Sequence, residues 1–234
     1  MAEMTGKFLA WDLETARVDV PDGDDLMAHL PTLGISCAAT LTSDGILQTW
    51  NGLLDKMVPE QCRKLVGYLL EMNQQGYTIV TYNGASFDFR VLAQESGAWE
   101  TCKKLALDHI DLMFHFFCER GFAVGLNAVA RGMGTPTKSG HGADAPRMWA
   151  AGQRQAVLDY VAQDVRVLMN VFQAVRKIGY VKWISKSDKL CTWMPSSKRL
   201  LTVKEAMMLP EPDTSWMTNH WGRQKFIGWL KDEH

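Results

Sequence analysis

The sequence carries almost no net charge. Its 25 Lys and Arg stand against 26 Asp and Glu, a formal −1, which excludes a chain that coats nucleic acid through bulk positive charge. A local grip on nucleic acid stays open. Long apolar runs are also missing. No stretch approaches the roughly 20 consecutive apolar residues of a membrane span. The first run, Phe8-Leu9-Ala10-Trp11, is cut off by Asp12, too early for a signal peptide. The expectation is a soluble, cytoplasmic protein with no membrane partner. The cysteines (Cys37, Cys62, Cys102, Cys118, Cys191) are odd in number and scattered. No pair has the two-residue spacing of a zinc knuckle or redox motif, so they read as buried, reduced thiols. No internal repeat is visible.

What is present is ordinary globular material: 234 residues, 47% hydrophobic, 10% aromatic and 22% charged. That composition excludes a disordered, collagen-like or disulfide-stapled chain. The length suits one domain of roughly 150–200 residues with an appendage.

Residues 7–13 (KFLAWDL) predict a short buried strand. The runs 35–41 and 46–50 flank Ser43-Asp44-Gly45 and predict a hairpin. Pro59, then apolar Cys62, Leu65, Val66 and Leu69, then Gly76, describe an amphipathic helix. A strand over 77–83 leads into a helix from about Phe87 to Glu95. Residues 105–118 are ambiguous, and 121–152 read as a glycine-rich, largely irregular stretch. Residues 153–179 form a long helix with a stripe of Val161, Val165, Leu168, Phe172 and Val175. The order predicts an α/β fold with a mixed sheet flanked by helices.

From Tyr180 the texture changes. Residues 180–234 hold five of the nine tryptophans and carry nine Lys or Arg against six Asp or Glu, whereas residues 1–179 carry 16 against 20. The expectation is a body over 1–179 and an irregular, Trp-rich C-terminal extension over 180–234, packed on the body and ending in a short helix. Its tryptophans are expected to pin that backbone rather than to bind nucleic acid.

Three acidic segments carry the chemistry. Asp12 and Glu14 alternate with Leu13 at a strand end, so their carboxylates point the same way. Two adjacent carboxylates are comfortable with a hard divalent cation between them. Asp88 opens the helix after the 77–83 strand, where a first-turn acid also suits the helix dipole. Tyr160 and Asp164, four apart, share one face of the long helix.

WDLET, NGASFDFRVL and YVAQDV, in that order, resemble the motifs of the DEDD superfamily of 3′→5′ exonucleases. The resemblance covers roughly residues 7–179. It implies a ribonuclease-H-like fold with a mixed five-stranded sheet, and it makes Asp12, Glu14, Asp88 and Asp164 ligands of two Mg²⁺ or Mn²⁺ ions. Tyr160, four residues before the last aspartate, marks the DEDDy branch; the DEDDh branch places a histidine where this chain has Asp159. By the same resemblance Asp12 bridges both ions, Tyr160 orients the attacking water, and Asn83 and Phe87 contact the substrate strand. Leu13 and Thr15 fall against its terminal nucleotide. The implied reaction releases nucleoside 5′-monophosphates from the 3′ end of single-stranded DNA or RNA. A catalytically silent binding module of the same fold and an RNA-processing nuclease are the alternatives, and nothing points to a particular protein partner.

Other signals are weaker. The loop GMGTPTKSGHG (132–142), with Lys138, could cradle a phosphate but lacks the Walker spacing and a preceding strand, so it reads as a mobile loop near the active site rather than a nucleotide site. Asp19, Asp22, Asp24 and Asp25 lack the pattern of a calcium loop. His109, His115 and His141 have no mutual ligand spacing. Asp108 and Asp111 are open between a place near the metals and a buried hydrogen-bonding role.

Overall fold

The structure is a computed structural model that describes residues 6–17, 26–52, 55–138 and 144–231. The acidic loop over residues 19–25 and His141 lie outside these residues.

The sheet is organised around β1 (Lys7–Thr15). Its side chains alternate between layers. Phe8 and Ala10 join one apolar cluster, while Leu9, Trp11 and Leu13 join another. After a short helix, α1 (Leu30–Leu33), β2 (Ile35–Thr42) pairs antiparallel with β1, placing Asp12 opposite Ala39 and Glu14 opposite Cys37. β3 (Leu47–Asn51) completes the hairpin predicted around Ser43-Asp44-Gly45. On the other side of β1, β4 (Tyr77–Thr81) and β5 (Ile110–Asp111) run parallel, giving the order β3-β2-β1-β4-β5. This is the mixed sheet that the element order predicts, with the five strands that the resemblance to a ribonuclease-H-like fold implies.

Parallel neighbours need crossovers. α2 (Pro59–Gln74) returns the chain to β4, and α3 (Asp88–Ser96) with α4 (Trp99–Asp108) returns it to β5. α2 buries Cys62, Leu65, Val66 and Leu69, the face its periodicity predicts. On the opposite layer α8 (Arg154–Ile178) lays Val161, Val165, Leu168, Phe172 and Val175 against the even-numbered side of β1. Asp12 and Glu14 therefore face α8.

The ambiguous stretch 105–118 resolves into the end of α4, β5 and α5 (Leu112–Arg120). The stretch 121–152 is less irregular than its glycines predict, since it contains α6 (Leu126–Met133) and α7 (Ala145–Ala150). Gly132 does not break α6. A Cβ at that position would collide with the backbone of Lys182 and Trp183, so the glycine serves close packing rather than a turn.

The C-terminal residues are also more regular than predicted. β6 (Val181–Ile184) and β7 (Leu190–Trp193) form an antiparallel ladder, followed by α9 (Val203–Ala206), α10 (Gln224–Ile227) and a 3₁₀ turn over Gly228–Lys231. Trp183 and Trp193 are buried edge-on to Phe116, at centroid separations of 5.2 and 5.1 Å. Arg223 donates to the carbonyls of Cys118, Leu209 and Pro210 at 2.6–3.0 Å. Trp229 is buried too. Trp216 and Trp221 are not: they stand 66% and 50% exposed. Among the described residues, no helix is long and apolar enough to cross a membrane.

Candidate metal centre and cleft

Strand alternation sets the site. Leu13 is buried in the α2 layer, so Asp12 and Glu14 project together toward α8. There they meet Asp164, and carboxylate oxygens from all three lie within 4.8 Å of one another. Asp88 enters from the first turn of α3. Its Oδ1 accepts a hydrogen bond from the Leu13 N–H at 3.2 Å, and it lies within hydrogen-bonding reach of Asp12. Asp88 thus tethers α3 to the strand that bears the other two acids.

Crowding buried acids has an electrostatic cost. Burial, then the facing carboxylates of Asp88, Asp164 and Glu14, holds Asp12 well above the usual carboxylate range. Burial, with Asp164 and Asp88 adding repulsion, pushes Glu14 up to about 8. Asp88 rises to about 7, again through burial, even though hydrogen bonds oppose the shift. Asp164 is also raised by burial, against the pull of Lys138. Asp164 Oδ1 and the Tyr160 hydroxyl are buried without a hydrogen bond of good geometry. Unsatisfied buried oxygen on an all-oxygen ligand set fits a hard divalent cation, so this cluster can hold metal.

The segment bearing Lys138 lies beside the acids, as expected of a loop near the active site, and the structure adds a direct role for the lysine that its spacing does not predict. Its Nζ lies 2.9 Å from Asp164 Oδ2 and 5.4 Å from the centroid of the Tyr160 ring. The segment is tied down by Lys138 N–H to Asn127 Oδ1 at 3.0 Å and by Gln163 Nε2 to the Thr137 carbonyl at 3.3 Å. Burial lowers the Lys138 pKa, but the Asp164 carboxylate raises it more, so the ammonium stays charged. No spacing rule could find a pair 26 positions apart that meets only through the fold.

Asp111 resolves to the second of its two alternatives. It is buried and accepts hydrogen bonds from the N–H groups of Asn83, Ala85, Met113 and Phe114 at 2.9–3.1 Å. It thereby holds the β4–α3 turn, where Asn83 adopts φ 75°, and caps α5. Trp229 Nε1 donates to the Ala85 carbonyl of the same turn at 2.8 Å. Asp108 is exposed. His109 and His115 are buried among structural partners.

An open cleft of about 310 Å³ lies over the acids, lined by Asp12, Asn83, Met113, Gly125, Lys138 and Asp164 among others. The fold therefore brings together Asp12, Glu14, Asp88, Tyr160 and Asp164, with Asn83 on the cleft wall. Three other candidates are placed differently. The Leu13 side chain faces the α2 layer, and Phe87 is half-buried against that same cluster. Thr15 is buried beside an irregularity in the β1–β2 pairing.

A family profile described as the RNase_H superfamily matches residues 55–176, just over half of the sequence. The chain belongs to the RNase_H superfamily. The matched stretch of this superfamily member contains Asp88, Tyr160 and Asp164; Asp12 and Glu14 precede it. Among solved structures, the family B DNA polymerase from the hyperthermophilic archaeon Pyrobaculum calidifontis is similar at 18% identity and a TM-score of 0.55. That likeness covers 73% of this chain and 24% of the polymerase, so this superfamily member spans about a quarter of that protein's length. A moderately thermophilic Exonuclease I from Methylocaldum szegediense is 16% identical, with 74% of this chain and 40% of that one covered; its TM-score of 0.34 carries no weight. Curated proteins yield no match.

Proposed function

We propose that the protein is a DEDDy-type 3′→5′ exonuclease that uses two divalent ions, Mg²⁺ or Mn²⁺, to release nucleoside 5′-monophosphates from single-stranded DNA or RNA. The observation that carries this reading is the cluster of Asp12, Glu14 and Asp164, within 4.8 Å and beneath a cleft, with Tyr160 one helical turn from Asp164. A pair of bound dications supplies an activated water and charge neutralisation at the leaving oxygen of an in-line displacement.

The chain's own residues do the rest. Asp12, Glu14, Asp164 and Asp88 would hold the ions, and Asp88 also fixes the strand of Asp12 and Glu14 by accepting the Leu13 N–H. Burial, then Asp164, pushes the Tyr160 phenol up to about 12. It is therefore protonated at neutral pH and orients water by hydrogen bonding instead of acting as a base. Lys138 brings a fixed positive charge to the same wall, where a scissile phosphate gathers negative charge. Asn83 reaches the strand from the cleft wall, Leu13 and Thr15 contribute backbone at the terminal nucleotide, and Phe87 shapes the turn that carries Asp88.

The test uses 3′- and 5′-labelled single-stranded DNA and RNA with Mg²⁺, Mn²⁺ or EDTA, beside Asp12→Ala and Asp164→Ala. The expected result is metal-dependent laddering from the 3′ end that both substitutions abolish. Laddering that survives EDTA, or survives both substitutions, overturns the mechanism. Binding without cleavage under any metal favours a silent module.

A further inference from the structure

The two exposed tryptophans of the C-terminal extension ask for an explanation that anchoring does not give. Trp216 is not a loose side chain. Its Nε1 donates to the Asp213 carbonyl at 3.1 Å, and its ring stands at 82° to Phe122 with centroids 6.0 Å apart. Phe122 is in turn braced edge-on by Phe116 at 5.2 Å and, tilted at 60°, by Trp183 at 6.4 Å. The indole is therefore held from one edge while two-thirds of its surface faces water. Such a ring has already lost its rotamer freedom, so a flat partner landing on it meets a smaller ordering cost.

Trp221, half-exposed, carries the Lys225 ammonium 4.0 Å from its ring centroid. Lys225 has no carboxylate partner among the described residues. The cation thus covers part of one ring face with no described carboxylate to neutralise it, and the exposed half of the indole is what a base can meet. The backbone beneath them is clamped by Arg223 to the carbonyls of Leu209, Pro210 and Cys118. The neighbouring acids are committed: Glu211 pairs with Arg223 at 3.4 Å, and Asp213 accepts the Ser215 N–H at 3.0 Å.

Position adds a second argument. Phe122, the partner of Trp216, is three residues before Gly125, which lines the cleft with Asp12 and Asp164. Three residues span at most about 11 Å of chain, so the Trp216–Phe122 pair adjoins the cleft wall, and Trp221 follows five residues further along the chain. The extension is also the basic part of the chain, nine Lys or Arg against six Asp or Glu, while the body is acidic.

We propose that Trp216 and Trp221, with Lys225, form a stacking surface for the bases of a single-stranded nucleic acid leading into the cleft. Every base presents a π face, so such a surface holds a strand without reading its sequence. The assignment of the strand as one that leads to a 3′ end rests on the exonuclease reading above; the stacking surface itself does not.

The test measures equilibrium binding of a fluorescent single strand of about 20 nucleotides in EDTA, by anisotropy. The proteins are the full-length chain, Trp216→Ala, Trp221→Ala and the corresponding Phe variants, beside a strand of the same length without bases. Loss of one stacked base is worth roughly 5- to 150-fold in affinity. Each Ala variant is therefore expected to bind about tenfold more weakly, with Phe restoring most of the loss. The strand without bases is expected to show little difference between variants. With Mn²⁺, the same substitutions raise KM more than they lower kcat, and most strongly on long strands. Unchanged affinity in both Ala variants overturns the proposal, and so does an equal loss on the strand without bases. A chain that binds through both tryptophans yet cleaves nothing sinks the exonuclease reading and leaves the stacking surface standing. Cleavage with no effect of either substitution does the reverse.

Discussion

A cation already sits among the carboxylates. Lys138 Nζ is 2.9 Å from Asp164 Oδ2, with the Asp164 side chain 6% and the Lys138 side chain 24% exposed. Breaking a buried pair by removing one partner costs about 3–5 kcal/mol; the partial exposure of Lys138 puts this pair nearer 2 kcal/mol. In the metal-free protein, Lys138→Met is therefore expected to lower stability by about that much, read by denaturant unfolding in EDTA. Divalent ions should respond in the opposite direction. With no ammonium to displace from Asp164, the variant is expected to bind Mn²⁺ about tenfold more tightly by titration calorimetry. Equal affinity in both proteins would show that Lys138 does not compete for the site. The residue also marks where reading by spacing stops. Asp12 with Glu14, and Tyr160 with Asp164, are legible because strand and helix periods place side chains from sequence alone. Lys138 on Asp164 depends on a contact across 26 positions, and the four N–H groups on Asp111 depend on the β4–α3 turn folding back onto β5.

At the scale of elements, Gly132 sets two effects against each other. Replacing glycine by alanine inside a helix gains about 0.8–1 kcal/mol of propensity. Here the added Cβ would collide with the backbone of Lys182 and Trp183 on β6, which cannot swing aside as a side chain can. Overpacking of this kind costs typically about 1–3 kcal/mol, so the collision wins. Gly132→Ala is expected to destabilise by about 1–2 kcal/mol and to lower Tm by about 2–8 °C in a chain of this size. A Tm that rises would mean that β6 does not pack on α6 as closely as described. The same contact explains which elements the sequence makes legible. α2, α8 and the β2–β3 hairpin announce themselves through long periodic stripes or a turn signal. α6, α7 and the β6–β7 ladder are short, and packing rather than local pattern maintains them, so the glycine that permits one of them reads as a loop.

Across the whole molecule, two sets of buried groups pull stability in opposite directions with pH. Burial drops His109 from 6.5 to about 3 and His115 to about 4, the latter despite Glu119 and Glu205 and with Arg199 facing it. Between those values and 6.5 the unfolded chain binds protons that the folded chain refuses. Stability is then lost as pH falls from about 6.5 through 4. The acids do the reverse. Burial lifts Glu14 from 4.5 to about 8 and Asp88 from 3.8 to about 7, and Lys138 only partly offsets the Glu14 shift. The folded chain holds those protons more tightly than the unfolded chain, so stability is lost as pH rises from about 4 through 8. The limbs overlap between about 4 and 6.5, where the four raised acids Asp12, Glu14, Asp88 and Asp164 outnumber the two histidines, so the metal-free protein should be most stable near the acid end, at about pH 4–5. Bound dications require ionised ligands, so saturating Mg²⁺ or Mn²⁺ should remove the alkaline limb and leave the acid limb, whose histidines have structural partners away from the carboxylate cluster. Tm measured from about pH 4 to 9, in EDTA and with metal, decides the matter. A metal-free curve that climbs steadily to pH 9 would show that the carboxylates are not held protonated. Loss of the acid limb on adding metal would place His109 and His115 in the metal site rather than in the core.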